Sequence, residues 1–266
     1  MIYKIYQSLL FPLVASLTLD NVLHVQKALN TPPNAKNLDQ KQIDLDKKME
    51  SLAVVPYNSE ILSPFHFDKR QFYLAGQNIV IKQKWGQLGV AAVVWDAAVV
   101  LCEYLEKHRN MLEDKTVIEL GAGMGLAGMV AGLLGVGRID ITDREIVLDD
   151  LRQNIQENVH NQVSLKTIQV KALDWSHDLE NFTDHYDLVI GADIVYIEET
   201  FEDLLRTISH LAQPETEVIL ASKIRYKRDK DFYKMLGKTF SLAKVHYDKD
   251  KDIVIYKAKL RIHKEL

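Results

Sequence analysis

Cysteine is nearly absent from this chain. Among 266 residues there is one, Cys102, which excludes an intramolecular disulfide and any zinc site built on several thiolates. Such sparing use fits a reducing compartment. Cys102 lies in an apolar, helix-like stretch and reads as a small buried hydrophobe rather than a reactive thiol. Long apolar runs are missing too. No stretch reaches eighteen consecutive apolar residues, so no membrane span is expected. Charge of one sign is lacking: 33 Lys and Arg against 37 Asp and Glu leave a net charge of -4. That balance gives no global pull toward nucleic acid or an anionic membrane. His108, His160, His177, His185 and His210 show no close-paired ligand spacing, so no metal is expected. There is no G-x-S-x-G elbow, which removes support for a serine nucleophile.

What is present is enough for one large core, with 47% hydrophobic residues. Residues 1–19 carry Lys4 and an apolar stretch from Leu9 to Leu17 that faintly resembles a signal peptide, but Pro12 interrupts it and Ser8 and Ser16 dilute it. Secretion is not expected, and a cytoplasmic chain is. Residues 31–50 are polar, open on Pro32-Pro33 and read as a linker. Residues 1–48 are therefore taken as a poorly ordered extension and 49–266 as the working domain.

Within that domain the period changes repeatedly. Residues 71–74 and 78–83 alternate apolar and polar around Ala75-Gly76-Gln77, a hairpin pattern. Residues 93–108 carry apolar positions at helical spacing. Together these form an N-terminal hairpin and helix over 70–110. A core sheet over 115–260 follows. Strands are predicted at 116–120, 138–142, 166–172, 186–192 and 216–222, helices at 126–134, 145–159, 199–212 and 229–238. A closing hairpin spans 242–248 and 252–259. Alternating strands and helices predict an α/β, Rossmann-like, mostly parallel seven-stranded sheet with an antiparallel C-terminal hairpin.

The first core strand ends in Val117-Ile118-Glu119-Leu120-Gly121-Ala122-Gly123-Met124-Gly125-Leu126. A strand, a glycine turn and a helix start let backbone approach a nucleotide-like ligand. A dinucleotide fingerprint would place its third glycine at position 126, which is Leu126. No Lys-Ser/Thr follows, so the phosphate cradle of a P-loop is absent as well. An acid before the loop, Glu119, would repel phosphates. It suits a ligand with an ammonium or hydroxyl donors, such as S-adenosylmethionine.

Ligands of open α/β sheets bind beyond the carboxyl ends of the strands. After the second core strand stands Asp143, about twenty residues past the loop, where a carboxylate accepts ribose hydroxyls. The plainer reading is a helix cap; the spacing to the glycine loop favours ribose. After the third stand Asp174 and Trp175, an acid for an adenine amino group and an indole to cover the ring. After the fourth stand Ala192, Asp193 and Tyr196, an acid and a phenol three residues apart facing the same cleft. Trp95 precedes the first core strand. It serves either as core packing on a helix or as a wall of the cofactor pocket.

At this point the chain resembles a known family. VVWDAAVVL, VIELGAGMGLAG, ITDRE, LDW and GADIVYIEETFEDLL look like the seven-strand protein-lysine methyltransferases of the methyltransferase-like 21 group, and ASKIRYKRDKDFY with KVHYDKDKDIVIY brings the match closer. The likeness runs from about Val54 to the C-terminus. Residues 1–48 have no counterpart, and Met49 falls where the family's own start would be. The resemblance implies a class I S-adenosylmethionine-dependent methyltransferase, with S-adenosylhomocysteine as product. It implies cofactor contacts at Trp95, Gly121, Ala122, Gly123, Asp143, Trp175 and Ala192. Asp193 and Tyr196 match the family's D-x-x-Y motif at the target-lysine channel. Glu119 would organise the loop or the cofactor's amino-acid end. The implied substrate is a lysine of a folded protein, most closely a 70 kDa heat-shock chaperone, met by a monomer. Other readings are a AAA ATPase or other folded protein as target, a small molecule enclosed by the extension, or a non-catalytic module that docks chaperones. A nucleic-acid methylase is disfavoured, because the residues read Asp-Ile-Val-Tyr rather than the Asn/Asp-Pro-Pro-Tyr that holds a flipped base.

Overall fold

Alternating strand and helix patterns resolve into one twisted sheet with helices on both faces. The computed structural model describes residues 67–84, 88–160, 162–177 and 179–261. The extension expected at 1–48 and its boundary near Met49 lie outside them.

The described residues open with a hairpin of β1 (Lys69–Leu74) and β2 (Gln77–Lys82). Its two-residue turn places Ala75 and Gly76 at φ of 51° and 74°, the twist that keeps two right-twisted strands together. Helix α1 (Asp96–Lys107) follows. Then come β3 (Thr116–Leu120), α2 (Leu126–Leu133), β4 (Arg138–Asp143), α3 (Leu148–Asn158), α4 (Gln162–Thr167) and β5 (Ile168–Ala172). The second half holds β6 (Leu188–Ala192), α5 (Phe201–Leu211), β7 (Glu217–Ser222), α6 (Lys227–Thr239), β8 (Phe240–Asp248) and β9 (Ile253–Leu260). The main sheet runs β5-β4-β3-β6-β7-β9-β8. Neighbours are parallel as far as β7, and β9 pairs antiparallel with both β7 and β8. This is the seven-stranded class I methyltransferase order, with the closing hairpin in its expected place.

The pleat divides the core in two. Val117, Leu188, Ile190, Ile219 and Ala221 point to one side, where α1, α2, α3 and the hairpin pack. Ile118, Val189, Val218 and Leu220 point to the other, under α5 and α6. One stretch differs from its prediction. Residues 166–172 read as a strand, but the strand begins at Ile168 and 162–167 coil into α4. Leu165 and Ile168, three apart, both reach the first core face, a spacing that suits a helical turn.

Helix α3 also closes the open edge of the small hairpin. Asn158 Oδ1 accepts the Val80 N–H at 2.7 Å while its Nδ2 donates to the Val80 carbonyl at 2.9 Å. Asn154 does the same for Lys82, at 2.9 and 3.2 Å. Four residues of helix rise about 6 Å and two residues of strand about 6.7 Å, so asparagines at i and i+4 meet alternate strand residues.

Candidate functional site

In the sheet order, β3 is flanked by β4 and β6, so the chain reverses direction of travel there and leaves a crevice beyond the carboxyl ends. The loops at that edge are tied to one another. The Ala122 N–H donates to the Thr142 carbonyl at 3.0 Å, Leu173 N–H to Asp143 at 2.9 Å and Asp193 N–H to Ala221 at 2.8 Å. Each loop therefore inherits its position from the next strand.

Gly121 and Gly123 hold φ of 62° and 55°, a region unfavourable to residues with a Cβ. A Cβ on Gly121 would lie 2.7 Å from Ile194 Cγ2 and 3.4 Å from the Trp175 indole. A Cβ on Gly123 would lie 2.9 Å from the Ala91 carbonyl. The turn is thus a narrow cradle whose backbone faces open only because side chains are missing. Trp175 packs against it from β5, and the 89–92 turn that leads to Trp95 closes it from the opposite side.

Asp143 ends β4. Its Oδ2 accepts the Gly123 N–H at 2.8 Å and its Oδ1 the Arg144 N–H at 2.7 Å. Burial raises its carboxyl, and these two bonds with the Arg144 charge offset part of the rise. A carboxylate offers about four lone-pair positions, so two remain for hydroxyl donors. Asp174 Oδ1 accepts from the Ser176 N–H at 3.0 Å and hydroxyl at 2.7 Å. Burial pulls its carboxyl up, but the Ser176 bonds, with His177 and Arg144 nearby, leave it below its ordinary value. Part of Asp174 therefore serves to shape its own turn.

Glu119 is only 2% exposed. Its Oε2 accepts the Gly128 N–H at 2.9 Å, at the first turn of α2. Burial pushes its carboxyl up to about 8, against the Gly128 bond and with help from the Asp143 charge. A Cβ on Gly128 would collide with that same Oε2 and with Ile141. The acid and the glycine are one device that joins β3 to α2. Cys102 is fully buried, and burial pushes its thiol well up, which suits an inert core residue.

Asp193 stands one residue beyond β6 at φ 54° and is 8% exposed. Such a backbone is strained for aspartate and is held by its surroundings. Tyr196 is half-buried. Burial raises its phenol, and the charges of Asp143 and Asp193 add to the effect against Arg144. The phenol is therefore neutral at physiological pH. Trp95 sits just before α1 rather than within it, half-buried, with its indole N–H donating to the Val90 carbonyl at 3.0 Å.

One residue of this site had no role in the sequence reading. Arg225, three residues past β7, grips Asp193 with both arms, Nη1 to Oδ1 at 2.9 Å and Nη2 to Oδ2 at 2.7 Å. Its guanidinium lies 5.7 Å from the centre of the Trp95 ring. The available signal was its place: the first arginine after the strand that neighbours β6.

Comparison with known proteins identifies the family. The family described as lysine methyltransferase matches residues 74–239. The protein N-lysine methyltransferase METTL21A of Xenopus tropicalis is 48% identical over 218 residues, covering 81% of this chain and 100% of that protein. The EEF1A lysine methyltransferase 3 of Mus musculus is 38% identical over 219 residues, 81% of this chain and 93% of that one. Among solved structures, the T. thermophilus 16S rRNA N2 G1207 methyltransferase RsmC, in complex with AdoMet and guanosine, superposes with a TM-score of 0.54 at 14% identity. It covers 73% of this chain and 50% of that one, a likeness of fold. With a relative matched over its whole length and a family match over more than half of the chain, this chain belongs to the lysine methyltransferase family and is an S-adenosylmethionine-dependent protein-lysine methyltransferase.

Proposed function

We propose that the chain methylates a lysine on a folded chaperone of the 70 kDa heat-shock class, at the β6 end of the crevice. The observation that carries the site is the adjacency of the two halves: Ile194, between Asp193 and Tyr196, lies against the bare face of Gly121. Whatever Asp193 and Tyr196 hold is therefore beside whatever the glycine cradle holds. The chaperone as target rests on the resemblance to the methyltransferase-like 21 group.

S-adenosylmethionine supplies an electrophilic methyl group on a sulfonium. The chain's residues must bind it, aim the amine at it and favour the amine's neutral form. Gly121, Ala122 and Gly123 would offer close backbone approach, Asp143 its spare lone pairs to the ribose, and Asp174 and Trp175 a seat for the adenine. Trp95 and Ala192 would wall the pocket. Glu119 organises the loop through Gly128, with its oxygen turned toward α2. Free lysine has a pKa near 10.4, so roughly one in 2,500 is neutral at pH 7, a handicap of about 5 kcal/mol. Desolvation in a half-buried channel lowers that pKa. Asp193 would accept an amine N–H and fix its direction. Tyr196, held neutral, would accept the other. Holding two reactants in line supplies much of the acceleration, and no general base is needed beyond water.

The chain would act as a monomer in the cytoplasm. Among the described residues no helix is long and apolar enough to cross a membrane. The test uses purified 70 kDa chaperone, purified elongation factor 1A and methyl-tritiated S-adenosylmethionine. Label on a chaperone lysine is expected. Label on the elongation factor with none on the chaperone overturns the target, since one relative is named for that factor.

A further inference from the structure

A cation already occupies the place where the target amine is to be received. Arg225 binds both oxygens of Asp193, and the pair is held from several sides. Asp229 Oδ2, from α6, accepts the Arg225 and Tyr226 N–H groups at 2.8 and 2.9 Å, so the chain enters α6 in a fixed path. The Trp95 ring lies beside the guanidinium. The Lys223 N–H approaches Asp193 Oδ1 at 3.5 Å.

A bare carboxylate would be a poor neighbour for a methyl acceptor. An opposite charge within a few ångströms raises a lysine's pKa by about 1 to 3 units and so favours the ammonium, which has no lone pair to attack with. A carboxylate already paired with a guanidinium keeps acceptor positions while its charge is cancelled. The same balance recurs around the channel. Asp143, at the end of β4, has Arg144 beside it. Asp229 has Arg228 Nε at 3.8 Å. The remaining groups that face the pair are the phenols of Tyr196 on the β6 loop, of Tyr226 just before α6 and of Tyr233 on α6, whose hydroxyl shares a 2.6 Å bond with Ser222.

We propose that Arg225 is a positioning residue that cancels the charge of Asp193, so that the site receives the target lysine as a hydrogen-bonded neutral amine rather than as a salt-bridged ammonium. The inference rests on the reading that Asp193 meets the target lysine. It predicts an unusual split. Removing the cation strengthens ground-state binding of the ammonium while weakening turnover.

The test is the pH profile of kcat for methylation of the protein substrate, which reports ionisations in the bound complex. For Arg225→Gln, the acidic limb moves up by roughly one pH unit or more. Turnover at neutral pH falls about tenfold, KM does not rise, and alkaline pH restores the rate. Arg225→Lys keeps the cation and keeps the limb where the parent has it. This arm stands even if Arg225→Gln is too unstable to assay, and a displaced limb in Arg225→Lys overturns the proposal. An unmoved limb in Arg225→Gln, or kcat falling with KM rising at every pH, overturns it as well. Asp193→Asn separates the two claims. Undiminished turnover there overturns the placing of Asp193 itself, whereas a large loss there with an unmoved limb in Arg225→Gln overturns only the role of the arginine.

Discussion

Two buried aspartates in this molecule are built on opposite plans. Asp140, in the middle of β4, is fully buried and surrounded by donors. Arg138 Nη2 lies 2.7 Å from it, Lys171 Nζ 2.8 Å and the Tyr186 hydroxyl 2.6 Å. Asp193, past the end of β6, has one cation for both oxygens and sits on a strained backbone. The first carboxylate has spent its hydrogen-bonding capacity on its own strand, on β5 and on the segment that leads into β6. The second keeps lone pairs in reserve at the mouth of a crevice. On the proposed reading, saturation marks a structural acid and spare capacity a working one, although burial alone would rank them together. Glu119 extends the series: among the described residues it meets the Gly128 N–H and no cation, and burial raises its carboxyl to about 8.

The largest test of that contrast is Asp140→Ala. It leaves the Tyr186 hydroxyl and the partly exposed Lys171 without this acceptor, while Arg138 keeps Asp184, and stranding buried hydrogen-bonding groups of this kind costs about 3 kcal/mol. For a domain of this size the thermal midpoint should drop by roughly 10 °C, with kcat at permissive temperature little changed; an unaltered midpoint refutes the structural assignment. Next in size is Glu119→Gln. A carboxyl raised from 4.5 to about 8 by folding contributes stability that is complete below pH 4.5 and is lost as pH climbs toward 8. The neutral amide escapes that loss. The variant should melt like its parent near pH 4.5 and above it at neutral pH, by on the order of 3 kcal/mol; parallel pH curves would mean Glu119 is ionised in the fold.

Asp193→Asn should differ from Asp140→Ala in its effect on turnover. Turnover falls about a hundredfold, near 3 kcal/mol of barrier, while calorimetric affinity for S-adenosylhomocysteine, read at a temperature where the variant is folded, stays close to the parent's; the lost Arg225 pair lowers the thermal midpoint as well. A matching loss of affinity would move Asp193 from the substrate to the cofactor. The smallest effect belongs to Gly121→Ala. A left-handed backbone with a Cβ costs about 1 to 2 kcal/mol, and the methyl would press on Ile194 and Trp175. Weaker S-adenosylhomocysteine binding is expected, and unchanged affinity sinks the cradle.

Much of this architecture was visible in one dimension. Apolar runs located all seven main strands to within about two residues, because buried parallel strands are apolar throughout and their ends carry glycine or acid. The short helix before β5 was not expected, since residues 162–167 are too few to show a helical period. The acids beyond each strand stood out because a carboxyl edge is where ligands bind. Arg225 and the Asp140 cluster did not, for a shared reason. The contacts that were missed join residues far apart in sequence, 32 positions for the Arg225–Asp193 ion pair and 46 for the Tyr186–Asp140 hydrogen bond. No spacing rule reaches that far; strand order creates those neighbours.

The two asparagines of α3 have a consequence outside catalysis. A lone two-stranded ribbon is marginal in water, and its unpaired edge is a template on which another chain can add a strand. By pairing Val80 and Lys82, the amides turn a helix into a surrogate third strand and hide the polar seam that would otherwise recruit a second molecule. Two side chains thus close an edge along which a second copy could otherwise add a strand.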